Sequence, residues 1–487
     1  MSDSASLPGT WASTKLGDVC THPQYGFTTK ATDHGTLKFL RTTDITSGTI
    51  DWNTVPYCRD EPDSLEQYLL EDGDVVISRA GSVGFSYLLK NPERSVFASY
   101  LIRFRPLIDR QFFAYFLQSP FYWHEIAESK VGIAVGNVNA SKLREIPFPL
   151  APLAEQRRIV GKVEELFSEL DEGVANLKQA RAQLAVYRQA LLKHAFEGHL
   201  TANWRTKHAP ELESADQLLA RIRAEMPENS KNAAPDISSS SCGWLELSLS
   251  EITKESLIGL VRASDLQNQE GRGFCYIKMD RVDMSGHVDI EPKVFVDCSE
   301  EEVERFALRQ GDILFNTRNS VELVGKTGLV RKPPPGPTVF NNNLMRIRLV
   351  SPVLPSFLNY QMCAPNFRNA MEQVKKATTS VAAVYGKDLW PLRIAIPSTR
   401  EQQEIVDKLD SQLDAVESME ADIDLNLQKA EALRQSILKK AFAGELVPQD
   451  PADEPAAALL DRIRAEREAA TAQPKAKQAG KRPAKLT

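Results

Sequence analysis

The chain has 487 residues, of which 42% are hydrophobic and 25% charged, with a formal net charge of −6. That length exceeds what one hydrophobic core supports and predicts two to four domains. The start, "MSDSASLPGTW", lacks a basic stretch followed by an apolar one, and no uncharged apolar run is long enough to span a bilayer, so a cytoplasmic protein with no membrane partner is expected.

In chain order, residues 1–150 form a first globular segment, with β-branched and aromatic runs such as "DVVIS" and "LIRFR" predicting strands. "DRQFFAYFLQSP" predicts a helix after them. Residues 151–226 are helical. Val163, Leu166, Leu170, Gly173, Leu177, Ala180, Leu184, Tyr187 and Leu191 recur at alternating spacings of three and four, a heptad seam that buries one stripe against a partner helix. Residues 227–243, "PENSKNAAPDISSSSCG", predict a polar linker. A second globular segment, 244–397, carries "DILFN", "MRIRLV" and "LPSFLNYQMCAP". A second helical segment, 398–466, opens on Thr399 with Gln402 as a capping box and continues a seam through Val416, Met419, Ile423, Asn426, Ala430, Leu433 and Ile437. Asn426 is then a polar residue that fixes register at some expense of stability. The tail, 467–487, is basic and rich in Ala and Pro, and is expected to be disordered.

The chain is written twice. Residues 155–200 align with 401–446 without gaps at 14 identities in 46 positions. These gather at the two ends, "EQRRIVGK" against "EQQEIVDK" and "RQALLKHAFEGHL" against "RQSILKKAFAGEL". "ADQLLARIRAE" (215–225) faces "AAALLDRIRAE" (456–466), and "GDVVISR" (73–79) faces "GDILFNTR" (311–318). Gly198 and Gly444 are the expected left-handed helix stops. A terminator needs the glycine but not the Ala-Phe before it. The repeated "AFEGHL" and "AFAGEL" therefore point either to packing of the helix ends within the chain or to docking of two identical partners. The fold expected is α+β: two globular domains alternating with two long helical segments paired as an antiparallel coiled coil, with a pseudo-twofold axis.

Catalytic patterns fail. "SVELVGKTG" has Gly325-Lys326-Thr327, but Ser320 stands where a phosphate loop needs its first glycine. "DIEPK" (289–293) is a carboxylate pair and a lysine of the kind common on surfaces. The seven histidines show no metal-ligand spacing with Cys or carboxylates, and no C-x-x-C pair occurs among the six cysteines, so no metal, disulfide framework or catalytic centre is expected. Charge neither proves nor excludes DNA: residues 11–150 have 14 basic and 16 acidic residues (−2), 244–397 have 19 and 18 (+1), and 398–466 have 8 and 16 (−8). Two related but divergent globular domains on long helices describe a bivalent reader. Duplex DNA offers two half-sites about one helical turn apart on one face.

The duplicated order, "GDVVISRAGS" and "GDILFNTRNS", "LREIPFPLAPLAEQRRIV" and "LWPLRIAIPSTREQQEIV", and the two Ala-Phe-x-Gly-x-Leu endings resemble the specificity (S) subunit of Type I restriction–modification systems, from about Trp11 to Glu466. The resemblance implies that residues 1–150 and 244–397 are target-recognition domains. It implies that the helical segments are a spacer and a docking surface for two adenine-methyltransferase (M) subunits that bind S-adenosylmethionine. Restriction (R) subunits using ATP and Mg join them, and no cofactor sits on this chain. The competing class is a tandem protein-interaction scaffold with no DNA; a narrower one is a methylation-only complex with M subunits alone.

The resemblance hands over no base contacts, so candidates come from loops between matched strands. In the first domain these are Lys30, Arg79, Ser82, Asn137, Asn139 and Lys142; in the second, Arg262, Asn316, Arg318, Asn319, Tyr385 and Lys387. Arg79 and Arg318 are matched after the Gly-Asp strand, where an arginine can hold guanine bidentately, hold a phosphate, or close an ion pair within the fold. Lys30 and Arg262 are expected to anchor phosphates. Asn137, Asn139 and Tyr385 can meet base edges, although loop asparagines often serve turns. Phe196, Leu200, Phe442 and Leu446 are candidates for partner docking, the two phenylalanines equally for packing.

Overall fold

The computed structural model describes residues 7–129, 138–226, 238–240, 242–377 and 381–479. It divides into two compact units, residues 1–177 with 424–487 and residues 178–423. Each long helix is shared between them, and each unit repeats one plan.

In the first unit, Gln24–Tyr25, Leu101–Phe104, Val75–Ser78 and Ser86–Leu88 form a four-stranded sheet in that order. A second sheet runs Ala31–Thr32, Tyr57–Cys58, Lys38–Leu40 and Ser95–Phe97, the last pair parallel. Ala12–Lys15 pairs antiparallel with Pro147–Leu150, which leads straight into the long helix. In the second unit, Thr253–Ile258, Leu344–Leu349, Ile313–Asn316 and Thr327–Leu329 reproduce the first sheet. Gln267–Asn268, Phe295–Val296, Phe274–Ile277 and Thr338–Phe340 reproduce the second. Continuous apolar runs form the central strands because both faces are covered: Val75, Val76, Ile77 and Ile313, Leu314, Phe315 are wholly buried at 0% exposure. The helices expected after these strands are Arg110–Phe116, capped by Asp109 accepting from the Gln111 and Phe112 amides, and Pro355–Cys363, with proline in its first turn.

The long helices are Leu153–Phe196 and Thr399–Ala443, each about 65 Å long at 1.5 Å per residue. They run antiparallel in both units. Arg434 meets Asp171 in the first, and Arg188 meets Glu417 at 3.1 Å in the second. The seam differs from the sequence expectation at alternate positions. Met419 and Leu433 are 54% and 52% exposed, Tyr187 is 49% exposed, and Gly173 and Asn426 also face solvent. Their neighbours Val174, Arg188, Glu420, Leu427 and Arg434 turn inward instead, with Arg188 only 9% exposed. A 4-3 spacing fits the helix as well as the 3-4 spacing does, and long arginine stems cover apolar surface while their guanidinium groups reach carboxylates on the partner helix. Asn426 therefore sets no register.

The helix ends pack inside the units. Phe442 is 1% exposed, with its ring 4.9 Å from Phe112 and 5.4 Å from Phe116. Phe196 is 7% exposed and lies 5.4 Å from Phe357. Each helix thus ends against the globular domain written in the other half of the sequence. Gly198 and Gly444 take the left-handed conformation, φ +80° and +75°. A Cβ at Gly198 would approach Cys242 to 2.7 Å, and one at Gly444 would approach Pro8 to 2.4 Å, so glycine is needed for space as well as for φ. Beyond these stops, Ala215–Glu225 buries Leu218, Leu219 and Ile222 against the second domain. Ala456–Ala479 buries Leu459, Leu460 and Ile463 against the first. This last helix runs through much of the tail expected to be disordered; its Leu-Leu-x-x-Ile face supplies the docking that starts it. Among the described residues no helix is long and apolar enough to cross a membrane.

Candidate nucleic-acid interface

Backbone bonds fix which positions of the two domains correspond. The Arg79 amide donates to the Tyr100 carbonyl at 2.9 Å, and the Arg79 carbonyl accepts from the Val138 amide at 3.1 Å. In the second domain Thr317 makes both bonds, donating to Asn343 at 2.8 Å and accepting from Val384 at 3.0 Å. The structural counterpart of Arg79 is therefore Thr317 and not Arg318. The two stretches, "GDVVISR" and "GDILFNTR", differ by one residue, and the register of the Gly-Asp strand places the extra one after Thr317. Tyr25 corresponds in the same way to Ile258, since they face Ile102 and Met345 across matched strands.

In the first domain these positions form one cluster. The Arg79 guanidinium lies 5.1 Å from the centroid of the Tyr25 ring, within cation–π range. The Tyr25 hydroxyl accepts from the Ala140 amide at 2.9 Å. Tyr25 is 37% exposed and Tyr100 60% exposed. Ser82 is exposed in the adjoining loop, and Lys30 is exposed before Ala31–Thr32. Asn139 accepts from the Lys142 amide at 2.9 Å and so caps the helix Ala140–Glu145, while Lys142 itself is exposed. Asn137 lies outside the described residues.

The second domain treats its candidates differently. Asn316 is wholly buried, at 0% exposure; it donates to the carbonyls of Arg318 and Asn343 and accepts from Asn319. It is a turn-holding residue with no edge to offer a ligand. Asn319 also accepts from the Ser320 amide at 2.8 Å, so both asparagines build the loop. Arg262 pairs with Glu302 at 2.6 Å and donates to the Asp297 carbonyl, an attachment within the fold. Arg318 is exposed in a two-residue strand, Arg318–Asn319, that pairs with Ala382–Ala383. Tyr385 is 48% exposed, with the Lys376 ammonium 5.8 Å from its ring centroid, and Lys387 is exposed two residues on. Ile258 and Val261 are 55% and 70% exposed. The two tips are thus unlike: Tyr, Arg and Tyr in one, Ile, Thr and Asn in the other.

Other sequence candidates resolve simply. The burial of Phe196 and Phe442 takes up the ring surface a second chain would need; Leu200 and Leu446 remain half-buried. The Lys326 ammonium donates to the Met279 carbonyl at 3.0 Å from a site 5% exposed, far from a phosphate cradle. Asp289 pairs with Arg281 at 2.7 Å. His124, Glu125 and Glu128 place ligand atoms within 4.8 Å of one another on one helix, a grouping the sequence reading passed over; His124 and Glu128 are exposed, at the i, i+4 spacing of an ordinary surface pair.

The sequence reading also missed what the repeated Glu-Gln does. Gln156 is 0% exposed; it accepts from the Asp109 amide at 3.0 Å and donates to Ala151 at 2.8 Å. Gln402 accepts from the Leu354 amide at 2.9 Å and donates to Pro352 and Pro397. It therefore fastens the helix to the second domain and forms no capping box with Thr399; the Ser398 hydroxyl accepts from the Glu401 amide instead. Glu401 receives Thr201 at 2.7 Å and Arg205 at 2.8 Å, and Glu155 receives the Gln449 amide at 2.7 Å. Identity of "EQ" in both copies was the available signal. It marks the joint between helix and globular domain.

Comparison with known proteins agrees with this architecture. Residues 8–179 match the family model described as "Type I restriction modification DNA specificity domain". The chain is 30% identical over 447 residues to the Type I restriction enzyme EcoKI specificity subunit of Escherichia coli (strain K12), covering 89% of each. It is 26% identical to the StySPI specificity subunit of Salmonella potsdam, covering 88% of this chain and 89% of that one. A solved chain from a study of complex assembly and conformational transition in the type I R-M system has the same fold, with a TM-score of 0.62 at 20% identity over 91% of this chain and 100% of that one. The duplicated joints, the paired antiparallel helices and two differing tips on one scaffold thus coincide with this relationship, and the chain belongs to the Type I restriction enzyme specificity subunits, a non-catalytic role in DNA specificity.

Proposed function

We propose that the protein reads a bipartite, asymmetric target in double-stranded DNA, one half-site per globular domain. The helices set the separation of the half-sites and carry two M subunits, which bind S-adenosylmethionine and methylate adenine, and R subunits, which use ATP and Mg; the assembly works in the cytoplasm. The observation that carries this reading is one scaffold built twice with different side chains at matched tip positions, Tyr25, Arg79 and Tyr100 against Ile258, Thr317 and Asn343. Two identical readers would serve a palindrome; two unlike readers serve two unlike half-sites. Specificity of this kind is read from base edges, while phosphate contacts set position. Lys30, Lys142, Arg318 and Lys387, all exposed, are suited to the phosphates, and Arg79 and Tyr385 to the bases. The test is sequencing of host DNA for methyl-adenine with and without the gene. One two-part motif should vanish on deletion; an unchanged methylome would favour a scaffold without DNA.

A further inference from the structure

Beside Arg79 lies an open cleft of about 320 Å³, lined by Thr42, Thr43, Thr46, Ala80, Gly81, Ser82 and Tyr100. Its chemistry is particular. Four of the six lining side chains end in methyl groups or carry one, beside one aromatic ring, and one hydroxyl is turned to the backbone: Thr46 donates to the Thr43 carbonyl at 3.2 Å. The nearby carboxylate, Asp44, is held by the Arg41 guanidinium at 2.8 Å, with its side chain only 9% exposed. A carboxylate so neutralised does not repel the backbone of a nucleic acid. Gly81, at φ +76° with open space where a Cβ would be, lets the loop turn away and leaves the cleft unroofed.

We infer that this cleft is a thymine-methyl reader: the first domain takes the C5-methyl of one thymine in the major groove between the threonine methyls and Tyr100, next to the base held by Arg79. Among the four bases thymine alone presents a methyl there, and threonine and alanine methyls are its usual apolar partners. The inference rests on the DNA reading above and deepens it. It also distinguishes the two domains. The loop equivalent to Ala80–Val83 in the second domain is Arg318–Val324, three residues longer, since Gly84 and Gly325 donate alike to Ser78 and Asn316. Asn343 replaces Tyr100, so the matched place there has a different length and lining.

The experiment uses the assembled complex on duplexes selected from a randomised pool, followed by replacement of each thymine by deoxyuridine, which removes only the methyl. The wild type should lose about fourfold in affinity at one thymine of one half-site, the worth of roughly one buried methyl group. Thr43→Ser and Thr46→Ser keep the hydroxyl, and one or both should abolish that sensitivity with affinity for the uridine duplex unchanged. Tyr100→Ala, at a largely exposed position, should lose about tenfold discrimination against a G·C pair at the same step and leave the other half-site untouched. Three results would overturn the inference: a first-domain half-site with no A·T pair, no methyl-sensitive thymine, or a sensitivity that all three variants retain. Failure of the wild-type complex to enrich any sequence would instead strike the DNA reading itself.

Discussion

The two globular domains agree where they are buried and differ where they are exposed. Asp74 receives Arg105 at 2.8 Å in one, and Asp312 receives Arg348 at 2.6 Å in the other. Arg103 donates to the Leu69 carbonyl at 2.7 Å, and its counterpart Arg346 to Ala307 at 2.8 Å. These buried guanidinium groups hold the sheet to a neighbouring loop in both copies, and a buried charge without its acceptors is too unfavourable to tolerate drift. Towards the tips of the same sheets, Tyr25 has become Ile258 and Tyr100 has become Asn343. Solvent-facing tips carry no such penalty, so they are free to follow a ligand.

The comparison breaks most severely at the joints. Phe442→Ala removes a ring packed on Phe112 and Phe116, and Phe196→Ala one packed on Phe357. Each should cost about 3–5 kcal/mol. Calorimetry should show the first variant destabilising the unit that contains domain one and the second variant the other unit. Equal small losses would mean that the helix ends are not fastened as described. Gln156→Leu and Gln402→Leu come next. Each strands a buried amide, of Asp109 or Leu354, at about 1–3 kcal/mol. Denaturant midpoints should fall for both by similar amounts if the two joints are equivalent.

The smallest effect sharpens a difference between the joints. Glu401 has an arginine and Glu155 has an amide. Burial pushes the Glu155 carboxyl above its ordinary range, opposed by the hydrogen bond from Gln449. A carboxyl whose folded value is raised stabilises the fold below its unfolded value, and that contribution is lost as pH climbs through the folded value. Glu155→Gln should therefore raise the melting temperature slightly at pH 7, with the gain fading as pH falls towards about 4. A gain that persisted at low pH would assign the effect to packing instead.

Much of this was legible in the sequence because repetition magnifies weak signals. The strands, the matched helices after them, the long rods and both glycine stops follow from pattern. What escaped was register at the scale of one residue. Arg79 was matched to Arg318 because arginine is conspicuous, whereas the hydrogen-bonded strand fixes Thr317. The seam alternates between Tyr187 and Arg188 because a long cationic stem can serve as apolar surface. Asn316 is a DNA-contact candidate by its loop position, although a buried amide joining three partners is a fold element. The tail that seemed unstructured is helical to Ala479. Tyr100 and the ring of Tyr25 are not singled out in the sequence, since nothing in a sequence tells an exposed ring from a core one.

The central claim is that two unlike readers share one frame and act independently. It is tested most directly by replacing residues 11–150 with the corresponding domain of another specificity subunit and mapping the methylated or bound sequences. The account predicts that one half of the target changes its letters while the other half and the gap between them stay fixed. A change in both halves, or in neither, would contradict it.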